Sequence, residues 1–295
     1  MISEAKQAVK IGVHRVLQPL ETSLREPAAG ALEHVPVFIV GPPRTGSTLL
    51  YQLLVRRYRF CYISNLLNRF SETPLALAKL SKAFGGFDAA DDFSSRYGDT
   101  VGWCAPSQGR ECWARWLPES PNALAPDAVA NEAKEHVRST ISALQRICGR
   151  PFVNKWQPNS VRVRLLSDIF PQALFVRISR STESTVRSIL RGREELCRRG
   201  SGWFSVKPPG YRRILNERRP EEQAAWQIAA IEHALDVAGE TVGADRFVHV
   251  RYEQLTRRPR QVLDRIAAFY EGATRIELER RCEVPEAFRP HSAPR

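Results

Sequence analysis

One segment near the amino end limits the possible folds more than any other. Residues 37–50 read Val-Phe-Ile-Val-Gly-Pro-Pro-Arg-Thr-Gly-Ser-Thr-Leu-Leu, an apolar strand followed by a glycine-bearing turn and the start of a helix. The first N–H groups of a helix have no partners within it, and the helix dipole adds partial positive charge, so this arrangement binds anions. Gly41 and Gly46 allow close approach of the backbone to a ligand. The segment therefore predicts a phosphate site.

The turn differs from a nucleotide-hydrolysing loop at one position. The spacing of Gly41 and Gly46 fits the Walker A pattern GxxxxGK[ST], but Ser47 stands in place of the lysine. A nucleotide kinase or another P-loop phosphotransferase would lose its main phosphate-reaching charge there. Arg44, three positions upstream, is the cation within the turn. We expect it to bind a 5′-phosphate and the bridging oxygen of the leaving group, with hydroxyl donors from Ser47 and Thr48.

Further apolar runs indicate the rest of the sheet. Together with the first run, they give predicted strands at residues 37–40, 60–63, 152–154, 173–178 and 247–251. Helical patterns separate them, notably after the first strand, over residues 137–148 and 223–237, and from Pro259. This alternation predicts an α/β fold with a doubly wound, mainly parallel five-stranded sheet flanked by helices, similar to P-loop NTPases. Its ligand would lie beyond the carboxyl ends of the strands.

The chain has the length of a single domain. We assign residues 1–295 to one domain, in which residues 1–35 form a helical lead-in that ends in a Pro/Ala/Gly linker. Residues 64–128 are rich in Pro, Gly, Ser and Trp, and residues 192–221 are rich in Arg, Gly and Pro. Long insertions on the ligand side are typical of lids, so we expect both to form the acceptor site.

Charge and cysteine usage restrict the partners and the compartment. The net charge of +12 favours an anionic partner, which leaves a nucleotide, an acidic acceptor, nucleic acid or a lipid headgroup. Six cysteines occur without a CxxC pair, so neither a zinc site nor a disulfide scaffold is predicted, and a reducing compartment fits. No apolar run reaches the roughly 18 residues of a transmembrane helix, and no signal-peptide core is present. We expect a soluble, cytoplasmic protein.

A second strand leads into a helix at residues 174–190. Arg180 stands where the apolar strand ends, and Ser188 follows eight residues later. This separation is about two helical turns plus a cap, so both side chains can face one anion. In an arginine-rich chain such pairs also arise by chance, and Arg177 or Arg187 would then be solvated surface charges. The position of Arg180 at the end of the strand favours a second phosphate site.

The two motifs together resemble the sulfotransferase superfamily. Its cofactor loop reads Pro-[Lys/Arg]-[Ser/Thr]-Gly-[Ser/Thr]-[Thr/Ser], which corresponds to Pro-Arg-Thr-Gly-Ser-Thr at residues 43–48. The arginine in this loop is closer to the bacterial, carbohydrate and tyrosylprotein branches than to the cytosolic steroid and phenol branch. In the family, an arginine at the end of the fourth strand and a serine eight residues later hold the 3′-phosphate, as Arg180 and Ser188 would here. Ser181-Thr182 departs from the usual Asp-Pro or Asn-Pro.

Weaker family motifs occur in the expected order. Lys155 matches a lysine that often precedes the donor strand, and Phe170-Pro171 resembles the entry to that strand. Residues 250–255, Val-Arg-Tyr-Glu-Gln-Leu, resemble a late motif with the pattern Arg-Tyr-Glu-x-Leu. The resemblance spans roughly residues 36–272.

The resemblance implies transfer of a sulfuryl group from 3′-phosphoadenosine 5′-phosphosulfate (PAPS) to a hydroxyl of a small metabolite, a lipid or a saccharide. Arg44, with Lys155, would neutralise the charge that grows on the leaving 5′-phosphate. Apart from Glu253, the strand ends carry no carboxylate for a magnesium ion, so a metal-free reaction is expected. The expected donor-binding residues are Arg44, Thr45, Gly46, Ser47, Thr48, Arg180 and Ser188.

The sequence leaves the catalytic base open. The cytosolic branch uses a histidine two residues after the lysine, and Gln157 at this position cannot act as a base. Other branches use a glutamate after the second strand, which makes Glu72 the first candidate and Glu111 the second, although either also fits a surface or capping role. The histidines within predicted elements, which fit structural roles better, are His136, His233 and His249.

Other assignments also stay open at this point. Three tryptophans of the first insertion fit an apolar acceptor pocket and core packing equally, namely Trp103, Trp113 and Trp116. Arginines between positions 191 and 219 fit either steering of an anion or a solvated basic face. A P-loop phosphotransferase and a basic nucleic-acid-binding module are the alternative functions, although the sequence contains no recognisable nucleic-acid motif. Neither the acceptor nor the oligomeric state follows from the sequence.

Overall fold

A parallel sheet of four strands forms the centre of the protein in a computed structural model, which describes residues 2–25, 32–87, 93–119, 122–196 and 202–288. The strands are β1 (Val37–Val40), β4 (Val153–Asn154), β5 (Leu174–Ser179) and β6 (Phe247–Arg251), and their order is β4-β1-β5-β6. A short antiparallel hairpin pairs β2 (Ser95–Arg96) with β3 (Asp99–Thr100). Most of the predicted linker before Pro36, and Cys197, Arg198 and Arg199, lie outside the described residues.

Helices cover both faces of this sheet, as the alternating pattern predicts. They are α1 (Ile2–Leu24), α2 (Ser47–Arg57), α3 (Asn65–Arg69), α4 (Pro74–Ala83), α5 (Arg110–Trp116), α6 (Asn131–Cys148), α7 (Val163–Ile169), α8 (Thr182–Leu196), α9 (Tyr211–Glu217), α10 (Pro220–Val242), α11 (Tyr252–Arg257) and α12 (Pro259–Thr274). Within the described ranges, no helix is long and apolar enough to span a membrane.

The hydrophobic core lies around β1, a strand that contains no polar residue. All four residues of β1 are buried, because a strand in the middle of a parallel sheet is covered on both faces. The ring of Phe38 contacts the rings of Phe152, Phe170 and Phe175 at centroid distances of 5.8–6.4 Å. These contacts join three of the strand segments to one aromatic cluster.

The strand predicted at residues 60–63 is wrong, and the sheet has four strands rather than five. This segment makes a single parallel bridge, between Cys61 and Phe152, at the edge beside β4. The Cys61 N–H donates to Pro151 O (2.8 Å) and Cys61 O accepts from Val153 N–H (2.9 Å). Pairing stops there because Ser64 caps α3, its hydroxyl accepting from Leu67 N–H (3.3 Å). The burial that suggested a strand is real, but the extended stretch is too short.

The predicted lead-in is a long helix fixed by one buried carboxylate. α1 packs against α4, and Glu21 of α1 is fully buried. Its Oε2 accepts from Ala76 N–H (2.9 Å) in the first turn of α4, and its Oε1 lies 3.1 Å from Arg25 Nη2. Burial raises the pKa of Glu21 above its ordinary value, against the effect of these donors. The lead-in therefore caps a helix of the domain.

All four parallel strands point their carboxyl ends to the same edge. The residues that follow them are Lys155 after β4, Gly41 after β1, Arg180 after β5 and Tyr252 after β6. Because the sheet order is β4-β1-β5-β6, these positions lie side by side along that edge. The predicted ligand crevice is therefore bordered by the motifs that the sequence singles out.

Candidate active site

A cavity of about 1270 Å³ opens at this edge of the sheet. Its wall includes the turn after β1, the ends of β4 and β5, one face of α8 and the start of α11. Both predicted insertions also contribute to it, the first through residues 93–98 and the second through residues 203–207. The cavity thus combines the phosphate motifs with the segments expected to select an acceptor.

The turn after β1 is shaped to bind an anion. Arg44 (φ 67°) and Gly46 (φ 84°) both have left-handed backbone conformations, and alternation of this kind turns successive N–H groups toward one concavity. The buried hydroxyl of Ser160 anchors the turn: it accepts from Gly41 N–H (3.0 Å) and donates to Gly41 O (2.9 Å). Thr45 Oγ1 donates to Pro42 O (2.8 Å) and is used inside the turn.

Unlike Thr45, Ser47 and Thr48 line the cavity, as do Arg44 and Gly46. Of the five loop residues predicted to bind the donor, four therefore face the cavity. Thr45 is 1% exposed and is not among the lining residues.

Gly46 is required by a close packing contact as well as by its backbone conformation. A Cβ atom at this position would lie 2.3 Å from Cδ2 of Tyr252. The Tyr252 ring also carries Arg180, whose Cζ is 4.4 Å from the ring centroid. Next to it, Glu253 Oε1 accepts from Ser181 N–H (3.0 Å) and fixes the turn into α8. The late Arg-Tyr-Glu motif thus supports both phosphate motifs.

The two predicted phosphate motifs are in direct contact. Arg44 Nε donates to Ser188 Oγ (2.9 Å), and Arg180 Nη1 donates to Arg44 O (3.3 Å). Burial lowers the pKa of Arg44, and the neighbouring charges of Arg180 and Arg191 lower it further, whereas Tyr97 and Glu195 oppose this. The close approach of several cations with little solvent is a setting in which an anion is strongly favoured.

Lys155 is a buried cation on the other side of Arg44. Its side chain is 3% exposed, and Nζ donates to Gln108 Oε1 (2.9 Å). Burial, with a further contribution from Arg44, lowers the pKa of Lys155 to about 7. An amide oxygen compensates little of the positive charge, and the charge of Asp99 opposes the lowering of this pKa only in part.

The β2–β3 hairpin covers both cations. Its two turn residues, Tyr97 (φ 53°) and Gly98 (φ 99°), both have left-handed conformations, which is the arrangement of a tight two-residue hairpin turn. The ring centroid of Tyr97 lies 4.7 Å from Arg44 Cζ. A Cβ on Gly98 would lie 2.4 Å from Gln108 Nε2 and 3.6 Å from Lys155 Nζ. The hairpin tip therefore lies over Arg44 and Lys155.

The two glutamates predicted as candidates for the base lie outside the cavity wall. Glu72 is exposed and lies 3.2 Å from Arg115 Nη1 and 3.2 Å from His14 Nδ1, outside the cavity wall. Glu111 is also exposed, and its backbone N–H donates to Asn68 Oδ1 (2.8 Å). Neither glutamate lines the cavity, so the geometry does not support Glu72 or Glu111 as the base.

The histidines do not supply a base either. In the described ranges, none of the histidines lines the cavity. His136 lies on α6 and His249 on β6, and burial lowers the pKa of both. His233 is exposed on α10. The part of the chain that the structure describes also contains no cluster of three or more His, Cys, Asp or Glu side chains suited to a metal ion.

Two of the three tryptophans of the first insertion belong to the core, and none of the three lines the cavity. Trp113 is fully buried, stacks on Trp156 at 5.5 Å and donates from Nε1 to Asn154 Oδ1 (3.0 Å). Trp116 packs beside Trp113, and Trp103 is exposed at the surface. The tryptophans of the cavity wall are Trp156 and Trp203.

The arginines between positions 191 and 219 lie in different environments. Arg191 lines the cavity, whereas Arg193 is buried, donates to Gln223 Oε1 (2.7 Å) and lies over the ring of Trp203. The others in the described ranges are largely exposed and lie outside the cavity wall: Arg212, Arg213, Arg218 and Arg219. Most of this basic stretch is therefore solvated surface.

Four residues of the wall escaped prediction from the sequence. The Arg-Tyr-Glu motif pointed to the region of Tyr252 but not to its place between Gly46 and Arg180. Gln108, Tyr97 and Glu195 belong to segments without any recognisable pattern, and only the three-dimensional packing brings them to the phosphate turn. The glycine after Tyr97 is a sequence feature that could have indicated this hairpin turn.

Comparisons with known proteins agree with this architecture. A model of a family described as "Sulfotransferase family" matches residues 36–273. Among solved structures, sulfotransferase STF9 from Mycobacterium avium is similar, with a TM-score of 0.55, 20% identity and coverage of 89% of this chain and 71% of the other. At 20% identity, this likeness supports the fold alone.

Two further solved structures are less similar. Sulfotransferase STF1 from Mycobacterium tuberculosis H37Rv has a TM-score of 0.49, 15% identity and coverage of 85% of this chain and 69% of the other. A sulfotransferase domain from the Synechococcus PCC 7002 olefin synthase has a TM-score of 0.44, 20% identity and coverage of 83% and 76%. No curated protein matches the sequence.

Proposed function

We propose that this chain, which belongs to the sulfotransferase family, transfers the sulfuryl group of PAPS to a hydroxyl acceptor in the cavity described above. The observation that carries the proposal is the contact between the two phosphate motifs. Arg44 reaches Ser188 (2.9 Å) and Arg180 reaches the backbone of Arg44 (3.3 Å), so a single nucleotide with phosphates at its 3′ and 5′ positions can engage both. A kinase-type triphosphate chain would need neither Arg180 nor Ser188.

The residues fit this donor by charge and by space. Arg180 and Ser188 are assigned to the 3′-phosphate, and Arg44, Gly46, Ser47 and Thr48 to the 5′-phosphosulfate, where the left-handed backbone at residue 46 shapes the turn. The lowered pKa of Lys155 is a further sign that this wall is built for an anion. Thr45 acts through the shape of the turn.

Catalysis follows from the position of the two cations under the hairpin. Sulfuryl transfer resembles phosphoryl transfer in its loose transition state, in which negative charge grows on the leaving oxygen. Arg44 and Lys155 are placed to stabilise this charge where the hairpin partly covers them. Their effect is large because few solvent dipoles compete there. The acceptor is a small molecule, lipid or saccharide whose hydroxyl enters from the side of the two insertions.

Ligand-induced stabilisation tests the donor assignment directly. The melting temperature is measured with PAP (3′-phosphoadenosine 5′-phosphate), with adenosine 5′-phosphosulfate, which lacks the 3′-phosphate, and with magnesium-ATP. We expect marked stabilisation by PAP and little by the other two. Transfer is then followed with ³⁵S-labelled PAPS and a panel of alcohols, phenols and glycosides.

A matched pair of variants ties the result to the site. Arg180→Ala should lose most of the stabilisation by PAP, since a charge-assisted contact to the 3′-phosphate is removed. Arg187→Ala on the helix that follows, α8, removes an exposed arginine paired with Glu183 and should behave like the wild type. Equal stabilisation by PAP and magnesium-ATP, or equal loss in both variants, would refute the donor assignment.

A further inference from the structure

Two carboxylates line the cavity within the described part of the chain, and they differ in their surroundings. Glu119 accepts a hydrogen bond from Arg110 Nε (2.9 Å). This bond, with the charges of Arg110, Arg162 and Lys207, lowers the pKa of Glu119 against a smaller effect of burial. A carboxylate held in this way is a weak proton acceptor, so Glu119 is poorly suited to activate a hydroxyl.

Glu195 lies beside the turn after β1, in different surroundings. It is close enough to the hydroxyl of Tyr97 and to Arg44 for its charge to act on both groups. The nearest guanidinium in an ion pair with it, Arg96 Nη2, is 3.9 Å away, too far for a direct hydrogen bond. About 43% of the Glu195 side chain is exposed, which leaves room for an acceptor and a path for a proton to solvent.

Tight packing holds the ring of Tyr97 in its position beside Arg44. Its ring lies against Arg44 and meets the ring of Phe204 edge-on at 6.0 Å. Gly192 of α8 makes this possible, because a Cβ there would lie 3.2 Å from Tyr97 Cε1 and 3.2 Å from Phe204 Cε2. Glu195 follows Gly192 by one helical turn. The absence of a side chain at residue 192 thus lets the ring of Tyr97 rest on α8, one helical turn before Glu195.

From this arrangement we propose that Glu195 is the general base of sulfuryl transfer and that Tyr97 is its positioning residue, an inference that rests on the proposed function. The acceptor O–H gives its proton to the Glu195 carboxylate as its oxygen forms a bond to sulfur. The bond between sulfur and the 5′-phosphate oxygen breaks, and the electron pair stays on the phosphate, next to Arg44 and Lys155. The products are the sulfated acceptor, PAP and a protonated Glu195, which returns its proton to solvent.

Glu195→Gln, Tyr97→Phe and a control, Glu194→Gln, test the assignment. Glu194 is the exposed neighbour of Glu195 on α8 and does not line the cavity. Release of PAP from PAPS is measured with glycosides and with substituted phenols that range from weakly acidic to fully ionised at the assay pH. General base catalysis is worth about 10²–10⁴-fold, so Glu195→Gln should lower kcat by roughly a hundredfold or more with a neutral hydroxyl acceptor.

Two readouts distinguish a base from a structural residue. The loss in Glu195→Gln should shrink toward none as the phenol becomes ionised, because an ionised oxygen has no proton to remove. PAP affinity should stay the same or increase, since the substitution removes a negative charge near Arg44. Tyr97→Phe should lower kcat less than Glu195→Gln, with the same dependence on the acidity of the phenol, and Glu194→Gln should match the wild type.

The possible results separate this inference from the proposed function. An equal loss across all phenols, an unchanged kcat in Glu195→Gln, or a loss explained by weaker PAP binding would overturn the role of Glu195. Wild-type protein that binds PAP but releases none from PAPS with any of these acceptors would overturn it as well. Failure of the wild type to bind PAP would instead overturn the proposed function.

Discussion

The buried amine of Lys155 predicts that donor binding depends on pH in a specific direction. In the ligand-free protein its pKa is about 7, against an ordinary value of 10.5, because it is buried and lies beside Arg44. A bound nucleotide places negative charge next to it and raises this pKa. A group whose pKa is higher in the complex takes up a proton on binding, so PAP should bind more tightly at lower pH, in the window above pH 7.

The size of the effect follows from the same pKa. Each pH unit above the pKa of the free lysine costs up to about tenfold in affinity, or about 1.4 kcal/mol, as long as the amine is fully protonated in the complex. Between pH 7.5 and 9.0 the dissociation constant for PAP should therefore rise by up to about thirtyfold. Phosphate monoesters lose their second proton near about pH 6, below this window. Burial and Glu195 raise the pKa of Tyr97 above its ordinary value, which already lies above this window.

Isothermal titration calorimetry measures both consequences. PAP is titrated at several pH values, each in two buffers of different ionisation enthalpy, and the difference in heat gives the number of protons taken up. The wild type should take up a fraction of a proton at pH 7.5 that approaches one at pH 8.5. Lys155→Met, which has similar length without a charge, should bind PAP weakly, independently of pH and without proton uptake. A wild-type affinity that is constant across the window, with no dependence of the heat on buffer, would refute the reasoning.

Three other substitutions have defined outcomes. Gly46→Ala should lower the free energy of unfolding by roughly 1–3 kcal/mol in urea denaturation and weaken PAP binding, because the residue is left-handed and faces the ring of Tyr252. Ser160→Ala should cost about 1–3 kcal/mol by the same measurement, because it leaves the buried N–H and C=O of Gly41 unpaired; an unchanged unfolding midpoint would show that another group replaces the hydroxyl. Glu72→Gln should leave PAP release from PAPS unchanged, and a strong loss of turnover would bring Glu72 back as a candidate for the base.

The parts of the site that follow strands were predictable from the sequence, because local patterns encode them. An apolar run that ends in a glycine-bearing turn before a helix is readable by itself, and it located Arg44, Gly46, Ser47 and Thr48. The ends of two other strands gave Lys155 and Arg180. In an α/β sheet all of these must meet at one edge, so no knowledge of side-chain packing was needed to bring them together.

The parts that depend on packing between distant segments were not predictable. Residues 60–63 are as apolar as the true strands, and only the cap at Ser64 decides that the segment turns away after one bridge. Glu72 and Glu195 are both glutamates in polar surroundings in the sequence, and which one faces the cavity depends on how the hairpin rests on α8. That contact in turn depends on Gly192, a glycine inside a helix that no sequence pattern marks.

The late position of Tyr252 in the sequence has a consequence for the synthesis of the protein. The turn after β1 leaves the ribosome early, but Tyr252, which packs on Gly46 and Arg180, belongs to a segment synthesised much later. A nascent chain that has not yet docked β6 would lack this support for the turn, so a ligand of this cavity would stabilise only chains whose sheet is complete.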